Sequence, residues 1–345
     1  MAKYPVLTAS RFCVLMLIAG LHSQVSWAAP QATATQAATV TQKAAAPAET
    51  QDETESAEAD EDSLEYVRIR RNERRLAVAL ETSVIQFGES TKYPNATIDL
   101  IGAIHLGEPQ YYKQLNDKFS DYDALLFEAV MPEEAVKQNF RPGRAKGAGR
   151  SLSEEDEWTE AKVGLQAISV LQLGMKDALG LEFQLAGIDY TARNFVHADM
   201  TQEEFEASME RRGESFSEML LREMSKAAVQ QQDKNPMAQQ LDLMFSMILS
   251  DRIYRVRRIA AVELAKANEG TAFASEDGTS TIITERNIKA LQILSRELKA
   301  GKKKIGIFYG AGHFPDMEER IVKEFGFKRQ SEEWVTAWQL RAPKE

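Results

Sequence analysis

From Leu76 to Phe87 apolar and polar positions alternate with the two-residue period of a half-buried strand. Ala96 to Ile104 (ATIDLIGAI) predicts a second strand, more continuously apolar towards its end. Glu108 to Phe119 has the spacing of a helix. Ala124 to Val130 (ALLFEAV) predicts a short buried strand with Glu128 near its C-terminal end, and Phe183 to Ile188 (FQLAGI) another that stops at Asp189. Lys304 to Tyr309 (KIGIFY) predicts a further strand, followed by a helix from Phe314 to Phe325, and Trp334 to Leu340 closes the chain as a strand. Strands that alternate with helices predict an α/β (α+β mixed) architecture, a central mixed β-sheet flanked by helices.

Between these segments lies a large helical insertion. Asp156–Leu173, Gln202–Gln231, Pro236–Asn268 and Thr281–Ala300 all carry apolar residues at i, i+3, i+4 spacing. Leu243, Met244, Met247 and Ile248 form a dense apolar patch that reads as core packing rather than a ligand surface. Residues 133–155 are basic and Gly-rich, with Arg141, Arg144, Lys146 and Arg150, and read as a flap over a site or as a plain loop.

Composition changes the picture at the N-terminus. Lys3 and Arg11 give a positive start, Phe12 to Leu21 is an apolar run of ten residues, and Ser26-Trp27-Ala28 offers small residues at a cleavage site. Ten helical residues reach roughly 15 Å, against about 30 Å of hydrocarbon. Residues 1–28 therefore predict a cleaved export signal, with a periplasmic or extracellular mature protein and no stable transmembrane segment after cleavage. An uncleaved, tethered form is the alternative. The single cysteine, Cys13, lies inside that run, so the mature chain has no thiol for a disulfide, a metal or nucleophilic catalysis. Residues 29–65 are Ala/Thr/Gln-rich and then acidic, and predict a solvated spacer. The folded part is expected as one domain over 66–345. A net charge of −10 gives no support to a nucleic-acid surface.

The candidate chemistry starts from histidines. Only His105, His197 and His313 lie beyond residue 28. Two of them end near-duplicate units, Gly102-Ala103-Ile104-His105 and Gly310-Ala311-Gly312-His313, each after an apolar strand and before an amphipathic helix. Ligands of parallel sheets bind beyond the C-terminal ends of the strands, and a histidine there can meet a metal or a reacting group. The pair predicts one shared site. Glu128 follows Leu125-Leu126-Phe127, where a carboxylate is tolerated only when paired or coordinating. Two imidazoles and a carboxylate suit an open divalent-metal site; a salt bridge from Glu128 to Arg286 is the alternative. Around Glu285-Arg286-Asn287, either Thr284 is an N-cap or the helix begins a few residues earlier, and Arg286 reads as a clamp for a carboxylate or a carbonyl oxygen or as part of a surface helix face. Asp189 positions a ligand or caps the next segment. His197 and Asp199 suggest a His–carboxylate pair, which capping and packing explain equally well.

The ordered set of Gly102–His105, Glu128, Glu285-Arg286-Asn287 and Gly310–His313 resembles the TraB/Tiki/GumN superfamily over about residues 76–341. The resemblance implies a mixed sheet wrapped by helices, related to erythromycin-esterase-like and ChaN-like proteins, and a divalent-metal-dependent protease (manganese, cobalt or zinc). It implies that His105 and His313 bind the metal, that Glu128 is a third ligand or the general base, and that Arg286 stabilises the developing oxyanion. Region 150–275 has no counterpart in that pattern. The expected function is a metal-dependent hydrolase of a peptide or small-molecule substrate. Two alternatives stand beside it: a non-catalytic binding protein for peptide, metal or haem, and an esterase-like hydrolase without metal. The absence of a Gly-X-Ser-X-Gly elbow, a Gly-X-Gly-X-X-Gly loop and a P-loop argues against serine-hydrolase and nucleotide chemistry.

Overall fold

A computed structural model of the chain describes residues 65–141, 179–215, 252–268 and 279–342. The expected export signal, all of the spacer except Glu65, the helix Asp156–Leu173 and the Leu243–Ile248 patch lie outside the described residues.

The frame is a seven-stranded mixed sheet. Its parallel half runs β3 (Thr97–Ala103), β8 (Lys304–Gly310), β5 (Ala124–Phe127), β7 (Phe195–His197). Its antiparallel half is built on the long strand β2 (Ala77–Gly88). One edge of β2 is taken over residues 79–88 by β9 (Lys328–Gln339); the other is shared end to end by β1 (Val67–Arg71) and β3. The central strands are apolar on both faces because both are covered. Leu100, Ile101, Leu125, Leu126, Ile305 and Ile307 are all fully buried.

Helix α1 (Pro109–Phe119) follows the two-residue strand β4 (Leu106–Gly107), with proline in its first turn, where no N–H is needed. Tyr111 and Tyr112 on α1 turn inwards; the Tyr112 hydroxyl donates between the carbonyls of Ile104 and Glu182. Its ring lies against Gly187, where a Cβ would fall 2.2 Å from the ring, so only glycine permits that approach. This ties the chain after β3 to the segment around residue 184. Short helix α2 (Glu133–Lys137) follows β5. Helix α4 (Gln202–Arg212) opens with a reciprocal Thr201/Glu204 capping box and ends on Gly213 at φ +64°, a left-handed stop that suits glycine. Arg257 on α5 (Arg252–Asn268) is bonded to the carbonyls of Leu179, Gly180 and Gln339, pinning that helix across two segments. Helices α6 (Arg286–Lys299) and α7 (Phe314–Lys323) lie on either side of β8 in sequence. No helix among the described residues is long and apolar enough to cross a membrane.

Two local expectations are corrected, and one strand is new. FQLAGI is not a strand: only Glu182–Phe183 pairs, as β6 with β4, and Gln184–Gly187 turns as the helical segment α3. The run is too short for periodicity to separate strand from helix. The strand that borders β5 is instead Phe195–His197, a three-residue segment below the length at which alternation is readable. Thr284 is not the N-cap of the 281–300 helix. That segment opens with a wide π-turn over 281–285, capped by Ser280, whose hydroxyl accepts from the Ile283 amide.

Candidate functional site

Each of the four parallel strands delivers a charged or titratable side chain just past its C-terminal end. His105 stands two residues beyond β3, His313 three beyond β8, Glu128 directly after β5, and Asp199 two beyond β7. This is the edge at which parallel sheets bind ligands. All four are buried.

Arg286, at the start of α6, is 1 % exposed and joins two of these carboxylates. Its Nη2 donates to Glu128 Oε1 at 2.6 Å and to Asp199 Oδ2 at 2.6 Å, and its Nε donates to Asp199 Oδ1 at 2.9 Å. The remaining nitrogen has a long 3.5 Å contact with the Ile282 carbonyl. The guanidinium is thus enclosed by protein acceptors, the salt-bridge alternative of the sequence, and is not presented to a substrate oxygen. The second Glu128 oxygen accepts from the Gly310 amide at 2.7 Å. Burial by itself would raise the Glu128 pKa; Arg286, the two neighbouring imidazoles and the Gly310 N–H outweigh it and bring it down to about 2. Glu128 is therefore an ionised carboxylate in the protein interior.

Both site histidines are neutral for the opposite reason. Burial depresses His313 to about 4 and also lowers His105, against the pull of Glu128. Their rings are anchored at Nδ1 by side-chain amides. His313 Nδ1 lies 2.6 Å from Asn287 Oδ1, and Asn287 Nδ2 donates to the His313 carbonyl and to Asp316. Two acceptors on Nδ2 fix the amide, so His313 carries its proton on Nδ1 and turns a bare Nε2 towards Glu128 Oε1, 3.8 Å away. His105 Nδ1 lies 3.0 Å from Gln184 Oε1, and Gln184 Nε2 donates to the Tyr190 hydroxyl at 2.8 Å. His105 Nε2 is buried and has no hydrogen-bond partner among the described residues. The Tyr309 ring packs edge-on against His313, and its hydroxyl donates to the Ala198 carbonyl beside Asp199.

The sequence-predicted residues divide. His105, Glu128, Arg286, Asn287 and His313 come together, and Gly310 joins them through its amide. Gly102 lies within β3, where a Cβ would come 3.2 Å from the Ser83 carbonyl; it serves packing between β2 and the site strand. Glu285 faces away, 3.8 Å from Arg212. Asp189 is exposed and caps Thr191 through its amide and hydroxyl. His197 is not paired with Asp199 by a hydrogen bond: its Nε2 donates to the Ala129 carbonyl at 2.7 Å, and both Asp199 oxygens go to Arg286. The role of Asp199 and the anchors Gln184 and Tyr190 were missed. Asp199 follows Phe195–Ala198 as Glu128 follows Ala124–Phe127, so a carboxylate just past a short apolar run was the available signal. Gln184 carried none beyond being polar within FQLAGI.

As a test of metal fit, the donors agree in type: two imidazoles with Nδ1 occupied and Nε2 free, beside an ionised carboxylate. Among the described residues, however, no three His, Asp or Glu side chains form a ready-made metal cluster. Comparison with protein-family models, curated proteins and solved structures gives no match to this chain.

Proposed function

We propose that the chain is a hydrolase of an amide or ester carbonyl, a peptidase in its leading form, working at the C-terminal edge of the parallel strands. The observation that carries this reading is the unsatisfied, buried Nε2 of His105 beside the ionised Glu128. A buried nitrogen without a partner costs free energy and calls for a ligand. A divalent cation (manganese, cobalt or zinc) would be held by His105 Nε2, His313 Nε2 and Glu128, and would supply Lewis-acid polarisation of the carbonyl. Where Glu128 is not itself a ligand it is the general base that accepts the proton of the attacking water, and Arg286 keeps it ionised until then. Gln184 and Asn287 hold the imidazoles in the tautomer that the site needs. Export by residues 1–28 belongs to the same proposal and puts the substrate outside the cytoplasm.

A second reading has its own support. Both Glu128 oxygens are already engaged, and the Arg286 cation occupies the ground that a metal charge would need. In that reading the neutral imidazoles act as base and acid without metal. Metal titration by calorimetry with Mn²⁺, Co²⁺ and Zn²⁺, together with peptide and ester hydrolysis by wild type and His105→Ala, tests both. Hydrolysis that needs metal and is abolished by His105→Ala supports the first; hydrolysis indifferent to chelator but lost in the variant supports the second. Equal hydrolysis by wild type and variant, or none by either with or without metal, sinks the hydrolase.

A further inference from the structure

Arg141 is a basic residue that this chemistry leaves unused. Its guanidinium carbon lies 5.6 Å above the centre of the Phe127 ring, the last residue of β5 before Glu128. The side chain is half-buried, and no described carboxylate pairs with it. Burial disfavours its charge, and no acid among the described residues offsets this.

Its surroundings are aromatic. The Phe127 ring also meets Tyr190 edge-on at 5.4 Å and His197 at 5.8 Å. Phe127 directly precedes Glu128, and Tyr190 accepts from Gln184, the anchor of His105, so Arg141 is linked to the site through the Phe127 and Tyr190 rings. Two acids that act on the neighbouring His197 are already engaged: Asp199 with Arg286, and Glu204 with Lys289 at 2.7 Å. His197 is kept neutral by burial, with Lys289 and Arg141 adding to that. Contact with the ring occupies only the face of the guanidinium. Among the described residues no acceptor takes the in-plane N–H donors, which suit a planar anion, for which a carboxylate is the natural match.

We propose that Arg141 determines specificity by receiving a terminal carboxylate of the substrate, so that the preferred substrates are short peptides or acylamino acids with a free C-terminus. This rests on the hydrolase reading for the scissile carbonyl, and its test is separable from it. Calorimetric binding of N-acetyl-alanyl-alanine and of its C-terminal amide is measured on full-length wild type, Arg141→Gln and Arg141→Lys. The acid binds wild type about tenfold or more tightly than the amide, as a charge-assisted pair requires. Arg141→Gln abolishes that preference without weakening amide binding, and Arg141→Lys keeps part of it. Equal affinities in wild type, no binding of the acid at millimolar concentration, or a preference that survives in Arg141→Gln each overturn the proposal. The acid/amide comparison on wild type stands whether or not the glutamine variant folds. In His105→Ala the binding preference persists while hydrolysis is lost, so failure of the chemistry and failure of the receptor give different results.

Discussion

Gly102–His105 and Gly310–His313 share a four-residue pattern and end neighbouring parallel strands, but the chain leaves them differently. In the sheet they are out of step by one position: Gly102 pairs with Tyr309, and Ala103 with Gly310. After β3 the chain bends and enters the short strand β4. After β8 it turns once through Ala311–His313 straight into α7. The difference carries into chemistry. Asn287 is locked by two acceptors on its Nδ2, so the His313 tautomer is fixed. Gln184 answers to a tyrosine hydroxyl, which accepts or donates, so His105 is held by a softer anchor. Similar sequence motifs have become one rigid imidazole and one adjustable, unsatisfied one, with Glu128 serving both.

The largest expected effect breaks the pair outright. His105→Ala and His313→Ala should each lower kcat/KM by about 10²–10⁴ where the imidazole acts in the reaction. Unequal losses, with His105→Ala the worse, would assign the reacting nitrogen to the softer turn; a variant with full activity removes its histidine from the site. Next comes the charge between the turns. Arg286→Met leaves two buried carboxylates without their cation and should cost about 3–5 kcal/mol in denaturant unfolding. A loss below about 1 kcal/mol would mean that Glu128 and Asp199 are not buried ions.

Acidification sharpens the comparison in the metal-free protein. The folded pKa of His313 is about 4, below the ordinary 6.5, so the unfolded chain binds a proton that the fold refuses. Stability is complete above about pH 6.5 and falls as pH drops towards 4, by about 3 kcal/mol for His313. His105 loses in the same direction. Glu128, held near 2, adds a further loss below its ordinary 4.5. Urea melts at pH 7, 5.5 and 4 measure the slope, and a flat profile would contradict burial of neutral imidazoles. The smallest effect concerns the anchors. Gln184→Met and Asn287→Leu should reduce activity or metal affinity by about 10–100-fold. The glutamine variant should show the smaller loss and a shifted acidic limb of the pH–rate profile.

Much of this was legible beforehand. The runs expected at 96–104, 124–130 and 304–309 contain the central strands 97–103 and 124–127 and all but the last residue of 304–310, because both-sided burial leaves a largely apolar signature. His105, Glu128 and His313 stood out because ionisable groups at the ends of buried strands need a reason to be there, and Arg286 because a cation at a helix start can clamp an anion. Asp189 and Glu285 satisfied the same pattern and lie outside the site, since a pattern at a strand or helix end does not say which way the side chain turns. Gln184 was unreadable: its role depends on Tyr112 packing against Gly187, a contact between segments more than seventy residues apart.

The amino-acid sequence by itself determined which segments are strands at the centre of the sheet and which rare residues sit at their ends. Hydrophobic period and the cost of burying charge are local properties of the chain. Only the tertiary structure decided that Arg286 is enclosed by Glu128 and Asp199, and that the His313 tautomer is fixed while His105 keeps a buried Nε2 with no partner among the described residues. Hydrogen-bond direction and desolvation depend on distances of a few tenths of an ångström between distant segments, and these exist only once the strands are side by side.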